Sequence, residues 1–252
     1  MSDTSDPFPA FYSALEARHR AELSFAEVRR ALQALSSLYV ERRERMADGA
    51  ALESRGKRAA FALYYGPLHF LLVRGIVRGL GPALPFPRRI LDLGCGTGSA
   101  GAAWALECTP RAAVSGVDRN GWAVQEARFT LRQLGVPGSA ARGDAVTADS
   151  PGSRAGWIAA FTVNELAEAA RDRLLARLLD AVAAGSPVLV VEPLSRRVSP
   201  WWPEWREKVL AVGGREDEWR LRPALPPSLA LLGKAAGLDT RELTGRSLAL
   251  AG

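Results

Sequence analysis

The stretch RRILDLGCGTGSAGAAWAL, which begins at Arg88, constrains the fold of this chain more than any other segment. It opens on a short apolar run, and glycines then follow at alternate positions, Gly94, Gly96 and Gly98. This order is typical of a buried strand, a tight turn and a helix. Glycines in such a turn let a ligand approach backbone that a Cβ would obstruct. The segment therefore predicts a ligand-binding turn at the end of a strand.

Short apolar runs alternate with helical stretches after this turn. The runs are RILDL, AVSGVD, AARGD, WIAAFTV and SPVLVVEP, and helices are expected between them, for example over 122–134 and 166–183. Such alternation predicts a parallel sheet flanked by helices, which is an α/β fold. Two final apolar runs lie on either side of Thr244 and Gly245, and we expect them to form a closing hairpin.

Residues before the turn are predicted to be helical from about 11 to 81. Ser24 and Glu27 match a capping box, and the apolar residues that follow share one helix face: Phe25, Val28, Leu32, Leu35 and Tyr39. Pro67 fits the first turn of a further helix. We therefore predict a helical N-terminal segment over 1–87 and a ligand-binding domain over 88–252.

Composition and chain length limit the classes of function. The chain has 252 residues, of which 48% are hydrophobic, so it can form one sizeable α/β domain with an appended segment. Two cysteines and two histidines supply neither a disulfide framework nor a metal site. No secretory signal is recognisable, and the run AAFALYYGPLHFLLV is broken by Gly66 and Pro67 before it reaches the length of a membrane span. We expect a cytoplasmic protein without membrane contact.

Three acids near the predicted strand ends indicate which ligand the turn binds. Asp92 lies two residues before Gly94, where a carboxylate disfavours a pyrophosphate and favours a cation. Asp118 ends the second strand, where it can accept hydrogen bonds from a ribose diol. Asp144 follows the third strand, where it can accept a bond from an adenine amino group, although an acid at such a position more often caps a helix. A cationic ligand with an adenosine, S-adenosylmethionine, satisfies all three.

On these residues the chain resembles the class I S-adenosylmethionine-dependent methyltransferases, from Arg88 to the C-terminus. The resemblance implies a Rossmann-like seven-stranded sheet with S-adenosylmethionine as cofactor. The expected cofactor-binding residues are Asp92, Gly94, Gly96, Gly98, Asp118, Arg119, Asp144 and Ala145. An NAD enzyme is the alternative, because Gly96, Gly98 and Gly101 also fit G-x-G-x-x-G, and Asp118 with Arg119 allows NADP.

The same resemblance places the methyl acceptor at the ends of the fourth and fifth strands. Asn164 and Glu192 are the candidate catalytic residues there, Asn164 to align the acceptor and Glu192 as a base or cation partner. Their alternatives are a helix N-cap and a plain strand end. Tyr65, Trp201 and Trp202 are candidate substrate residues, since aromatic rings stack on planar groups, but closely spaced tryptophans also pack in cores. No NPPY-like motif supports methylation of base amino groups.

Segments before Arg88 also look like the methyltransferase-like family associated with the small ribosomal subunit of mitochondria and its bacterial relatives. They are LSSLYVERRERM and AAFALYYGPLHFLLV, and FTVNEL and VLVVEP fit the same pattern. The cysteines that hold an iron–sulfur cluster in that family have no counterpart after Glu192, so no metal cluster is expected. This resemblance, with a net charge of +6, favours ribosomal RNA or the small ribosomal subunit as partner. The alternatives are a small-molecule acceptor beside Tyr64 and Tyr65, or a catalytically silent assembly factor.

Overall fold

A computed structural model describes residues 6–41, 52–195, 197 and 199–252, without the side chains of 38–41. The predicted place of the Tyr39 side chain therefore lies outside the described residues. The helices are α1 (Phe8–His19), α2 (Phe25–Glu41), α3 (Arg55–Ala60), α4 (Gly66–Leu80), α5 (Ser99–Glu107), α6 (Gly121–Gln133), α7 (Glu168–Ala183), α8 (Trp202–Ala211) and α9 (Pro227–Ala236). The strands are β1 (Arg89–Leu93), β2 (Ala113–Asp118), β3 (Gly138–Arg142), β4 (Gly156–Ala160), β5 (Val188–Glu192), β6 (Arg215–Leu221) and β7 (Leu243–Leu250).

The chain divides into two compact units. The helical unit comprises the described residues up to His69 together with 222–242, and the sheet unit comprises 70–221 and 243–252. The sequence-based boundary between residues 87 and 88 follows a change in composition, and it stays a prediction.

The helical unit contains α1, α2, α3 and α9. The predicted capping box of α2 is confirmed, because the Ser24 amide donates to Glu27 Oε2 at 2.8 Å and the Glu27 amide donates to Ser24 Oγ at 3.3 Å. Val28, Leu32 and Leu35 are buried, as the helical spacing predicts. Helix α9 ends at Gly237 in the left-handed region, with φ +78°.

A single helical run passes through Gly66 and Pro67, so the predicted break there is wrong. Helix α3 continues into a π-helical turn, Phe61–Tyr65, and then into α4. The Gly66 amide donates to the Phe61 carbonyl, and this wider turn accommodates the missing proline donor. The run over 55–83 is long and apolar enough to cross a membrane, but 61% of its most apolar window is buried inside the protein, as in a core helix.

The sheet unit is built on seven strands in the order β3-β2-β1-β4-β5-β7-β6. Strands β1 to β5 are parallel, and β7 runs antiparallel to both β5 and β6. This is the predicted Rossmann-like α/β sheet with helices before its first strand. The predicted closing hairpin is wrong, because Thr244 and Gly245 lie inside β7. They pair with residues of β6, and α9 lies between these two strands in the sequence. Because β1 to β5 are parallel, the carboxyl ends of β1, β2, β4 and β5 lie at one edge of the sheet, where ligands bind in such folds.

Candidate functional site

The turn after β1 contains three glycines in the left-handed region. Gly94, Gly96 and Gly98 have φ values of +65°, +51° and +76°. A Cβ at Gly94 would lie 2.3 Å from the Thr162 side chain, and one at Gly98 would lie 3.0 Å from Ala127 backbone. A Cβ at Gly96 would meet nothing within 4 Å. Two of the glycines therefore permit close packing, and Gly96 borders open space that a ligand can occupy.

Asp118 connects the end of β2 to this glycine turn. Its Oδ2 accepts from the Gly96 amide at 2.9 Å, and its Oδ1 accepts from the Asn120 amide at 2.7 Å. Asn120 in turn caps α6, with Oδ1 accepting from the Trp122 amide at 2.9 Å. The half-buried Asp118 carboxylate is thus fixed beside Gly96, where the predicted ribose contact requires it. That contact stays a prediction.

Asp92 lies beneath the turn and is 1% exposed. Its Oδ2 accepts from the Gly101 amide at 2.9 Å, in the first turn of α5. Burial raises the pKa of Asp92 to about 7, and the nearby Asp118 charge adds to this effect. The carboxyl group therefore stabilises the connection between β1 and α5. Its predicted attraction for a cation would act across the glycine turn.

Asp144 and Arg119 lie together at the ends of β3 and β2. Asp144 Oδ1 accepts from the Val146 amide at 2.8 Å, and Oδ2 pairs with Arg119 Nη2 at 2.5 Å. The Val146 hydrogen bond and the arginine hold the pKa of Asp144 below its usual value. Asp144 stabilises a turn that contains the buried Ala145 and does not begin a helix. The predicted adenine-side residues are therefore adjacent, although their contact with a ligand stays a prediction.

Asn164 and Glu192 are joined by hydrogen bonds at the ends of β4 and β5. Glu192 is 0% exposed, and its Oε1 accepts from the Val163 amide at 3.0 Å. Asn164 Nδ2 donates to Glu192 Oε2, and Asn164 Oδ1 accepts from Ser199 Oγ at 2.8 Å and from Trp201 Nε1 at 3.3 Å. Burial raises the pKa of Glu192 to about 8. The two predicted catalytic residues thus form one buried polar network.

Trp201 and Trp202 lie in an apolar cluster together with Trp205. The Trp201 and Trp205 rings pack edge to face with centroids 4.7 Å apart, and all three side chains are less than a tenth exposed. Trp202 Nε1 donates to Glu216 Oε1 at 2.6 Å. These contacts match the packing alternative for the tryptophans, and their contact with a substrate stays a prediction.

Tyr65 belongs to the helical unit, in the π-helical turn. Its ring is half-buried and lies 5.1 Å from the Tyr64 ring and 6.2 Å from the His69 ring. Burial raises the pKa of Tyr65, so the phenol is neutral at physiological pH. The substrate contact predicted for Tyr65 stays a prediction.

Two further residues at this edge were not predicted from the sequence. The Thr162 hydroxyl donates toward the carbonyls of Leu93, at 3.0 Å, and Gly94, at 3.2 Å. Arg246 on β7 is 6% exposed, pairs in register with Glu192, and lies over the Trp202 ring at 4.1 Å. The sequence around Thr162 and Arg246 did not mark them as site residues, because their contacts depend on the order of strands in the sheet.

The site fits the cofactor that the sequence predicts. Open space at Gly96 borders a carboxylate that can bind a ribose, and the neighbouring acids suit a positively charged sulfur better than a diphosphate. Among the residues that the structure describes, no group of three or more histidines, cysteines or acids is arranged to hold a metal ion.

Comparisons with known proteins agree with this geometry. The family model described as "Methyltransferase domain" matches residues 90–185, whereas no curated protein matches the sequence significantly. A proposed O-methyltransferase from Nostoc punctiforme PCC 73102 is 17% identical, with 87% of this chain and 72% of that chain covered and a TM-score of 0.56. The YcgJ protein of Bacillus subtilis is 13% identical, with coverage of 72% and 99% and a TM-score of 0.48.

A third solved structure is the plantazolicin methyltransferase BpumL in complex with SAH, which is 12% identical, with coverage of 94% and 99% and a TM-score of 0.48. The Nostoc structure shares the fold. The family match covers the glycine turn, Asp92, Asp118 and Asp144, and it ends before Glu192. The narrower resemblance to the ribosome-associated family receives no support from these comparisons. Residues 90–185 therefore match a methyltransferase domain within a chain that has the Rossmann-like methyltransferase fold, and the cofactor that these findings imply is S-adenosylmethionine.

Proposed function

We propose that this protein transfers the methyl group of S-adenosylmethionine to a small-molecule acceptor. The observation that carries this proposal is the acidity of the carboxyl edge of the sheet. The Asp118 charge raises the pKa of Asp92 and of Glu165, and the Glu165 charge raises that of Glu192, so these four acids are within electrostatic reach of one another. Such an edge admits neutral or cationic acceptors and repels a nucleic-acid backbone.

The glycine turn and Asp118 are the residues that would hold the cofactor. Bound there, it supplies an electrophilic methyl group on a positively charged sulfur. The contribution of this chain is then mainly orientation, because methyl transfer requires the acceptor to approach in line with the bond that breaks. We propose that Asn164 and Glu192 act as a pair that fixes the turn after β4, since their mutual hydrogen bond and the contacts of Ser199 and Trp201 leave the Asn164 amide in one orientation.

Transfer of labelled methyl groups tests this proposal. Purified protein is incubated with labelled S-adenosylmethionine and either a metabolite extract or purified small ribosomal subunits, with Asp118→Ala as the inactive control. We expect label in small molecules that depends on Asp118. Label in ribosomal RNA would replace our proposal with the nucleic-acid alternative. Label in neither fraction, with cofactor binding measured, would indicate a catalytically silent protein.

A further inference from the structure

Arg177 on α7 binds the loop that follows β3, on the predicted adenine side of the cofactor site. Its guanidinium donates to the carbonyls of Val146 and Ala148, and it lies 3.5 Å from the Ala145 carbonyl. The same group lies over the Trp157 ring of β4, 5.3 Å from the ring centroid. One half-buried side chain therefore joins this loop to both α7 and β4.

The loop is also bonded to the residues that border the open space at the glycine turn. The Gly143 amide donates to the Asp118 carbonyl at 3.0 Å, and Asp144 pairs with Arg119 at 2.5 Å. The Asp118 carboxylate in turn accepts from the Gly96 amide at 2.9 Å. A continuous chain of contacts therefore runs from the loop to the predicted cofactor position.

Val146 links the guanidinium to the Asp144 carboxylate. Its amide donates to Asp144 Oδ1 at 2.8 Å, and its carbonyl accepts from Arg177. A planar guanidinium can hold several carbonyls at once, because its five N–H groups have a fixed geometry. Without these donors the carbonyls would have to turn toward water, since an unpaired polar group in a partly buried place is costly. Arg177 therefore fixes the loop on which the position of Asp144 depends.

We propose that Arg177 is a positioning residue for recognition of adenine. This inference rests on the proposed function, in which S-adenosylmethionine binds at this edge with Asp144 on its adenine side. An adenine amino group can donate to that carboxylate, whereas an oxo group at the same place would face it with a second acceptor. The carboxylate distinguishes the two groups while the loop is fixed, because an acid on an unfixed loop can turn away from the oxo group. Arg177 maintains this discrimination by acting through the loop.

Binding of two nucleoside thioethers tests this role without knowledge of the methyl acceptor. S-adenosylhomocysteine carries adenine, whereas S-inosylhomocysteine has an oxo group in place of the adenine amino group. We compare their affinities by calorimetry for the wild type, Arg177→Met, Arg177→Lys and the control Arg132→Met. Arg132 is an exposed arginine on α6 in the same unit.

We expect the wild type to bind S-adenosylhomocysteine at least about tenfold more tightly than S-inosylhomocysteine. Arg177→Met should reduce this preference to about threefold or less, and Arg177→Lys should keep an intermediate preference, because lysine retains the charge without the planar fork. Arg132→Met should match the wild type. Each preference compares two ligands of one variant, so a purely structural role of Arg177 would leave it unchanged.

A wild-type preference that persists in every folded Arg177 variant would overturn the proposal. A wild type that does not distinguish the two ligands would overturn it as well. Failure of the wild type to bind S-adenosylhomocysteine would instead overturn the proposed function.

Discussion

Asp118 is the residue on which cofactor binding depends most directly. Its carboxylate is fixed by the Gly96 and Asn120 amides beside the open space at the glycine turn. We predict that Asp118→Ala weakens binding of S-adenosylhomocysteine by more than about 1.5 kcal/mol, the scale of a lost hydrogen bond to a charged group. Isothermal titration calorimetry measures this difference.

Asp149→Ala is the matched control, because Asp149 is an exposed acid in the same sheet unit. It should bind S-adenosylhomocysteine like the wild type. An unchanged affinity in Asp118→Ala would mean that the ribose lies elsewhere.

Asn164 connects three partners, and its loss leaves all of them unsatisfied. Glu192 would lose a donor, and Ser199 and Trp201 would lose their shared acceptor. We predict that Asn164→Ala lowers the free energy of unfolding by about 1–3 kcal/mol, which is the cost of unpaired buried polar groups. Urea unfolding measures it, with Ser199→Ala as a comparison that removes one donor and should cost less. A smaller loss for Asn164→Ala than for Ser199→Ala would contradict the network.

At the scale of elements, the glycines of the turn between β1 and α5 have different roles. Gly94 allows close packing, and Gly96 borders the open space where a ligand can bind. All three glycines have positive φ, so alanine at any of them carries a backbone strain of about 1 kcal/mol. At Gly94 the new Cβ also collides with Thr162, whereas at Gly96 it projects into open space. We predict that Gly94→Ala is strongly destabilised and that Gly96→Ala folds almost normally but loses cofactor affinity.

Thermal unfolding and calorimetry with S-adenosylhomocysteine distinguish these two effects. Thr162→Ser in the Gly94→Ala background removes the methyl group that the new Cβ meets first, and it should recover part of the stability. Normal cofactor affinity in a folded Gly96→Ala variant would mean that the space at Gly96 is not the cofactor site.

The strand–turn–helix unit could be predicted from sequence because its signals are local. The glycines and Asp92 are close in the chain, and Asp118 follows the next strand. The contact of Thr162 with Gly94 joins residues 68 positions apart, and that of Glu192 with Asn164 spans 28. Their proximity depends on the order of strands in the sheet. The hairpin prediction failed for the same reason, since the partner of β7 is the distant β6.

At the scale of the whole molecule, the net charge does not describe the candidate site. The chain has a net charge of +6, but acids gather at the carboxyl edge of the sheet. The overall value suggested a nucleic-acid partner, whereas carboxyl groups at the site disfavour a phosphate backbone. Charge at the site decides which ligand is bound there.

The buried acids also make stability depend on pH. The pKa of Asp92 rises from 3.8 to about 7 on folding, and that of Glu192 rises from 4.5 to about 8. At a pH between the unfolded and the folded pKa of each group, the folded protein holds more protons than the unfolded chain. The free energy of unfolding therefore falls as pH rises. The contribution of both groups is fully present below about pH 4 and is lost by about pH 8.

Glu192→Gln tests this origin of the pH dependence, because glutamine does not titrate. We predict that urea unfolding of the wild type shows decreasing stability from about pH 5 to about pH 8, and that Glu192→Gln shows a shallower decrease. Asp92→Asn should reduce the slope at the lower end of this range, and Glu168→Gln should leave it unchanged. Equal slopes in the wild type, Glu192→Gln and Asp92→Asn would mean that neither carboxyl group gains its proton on folding.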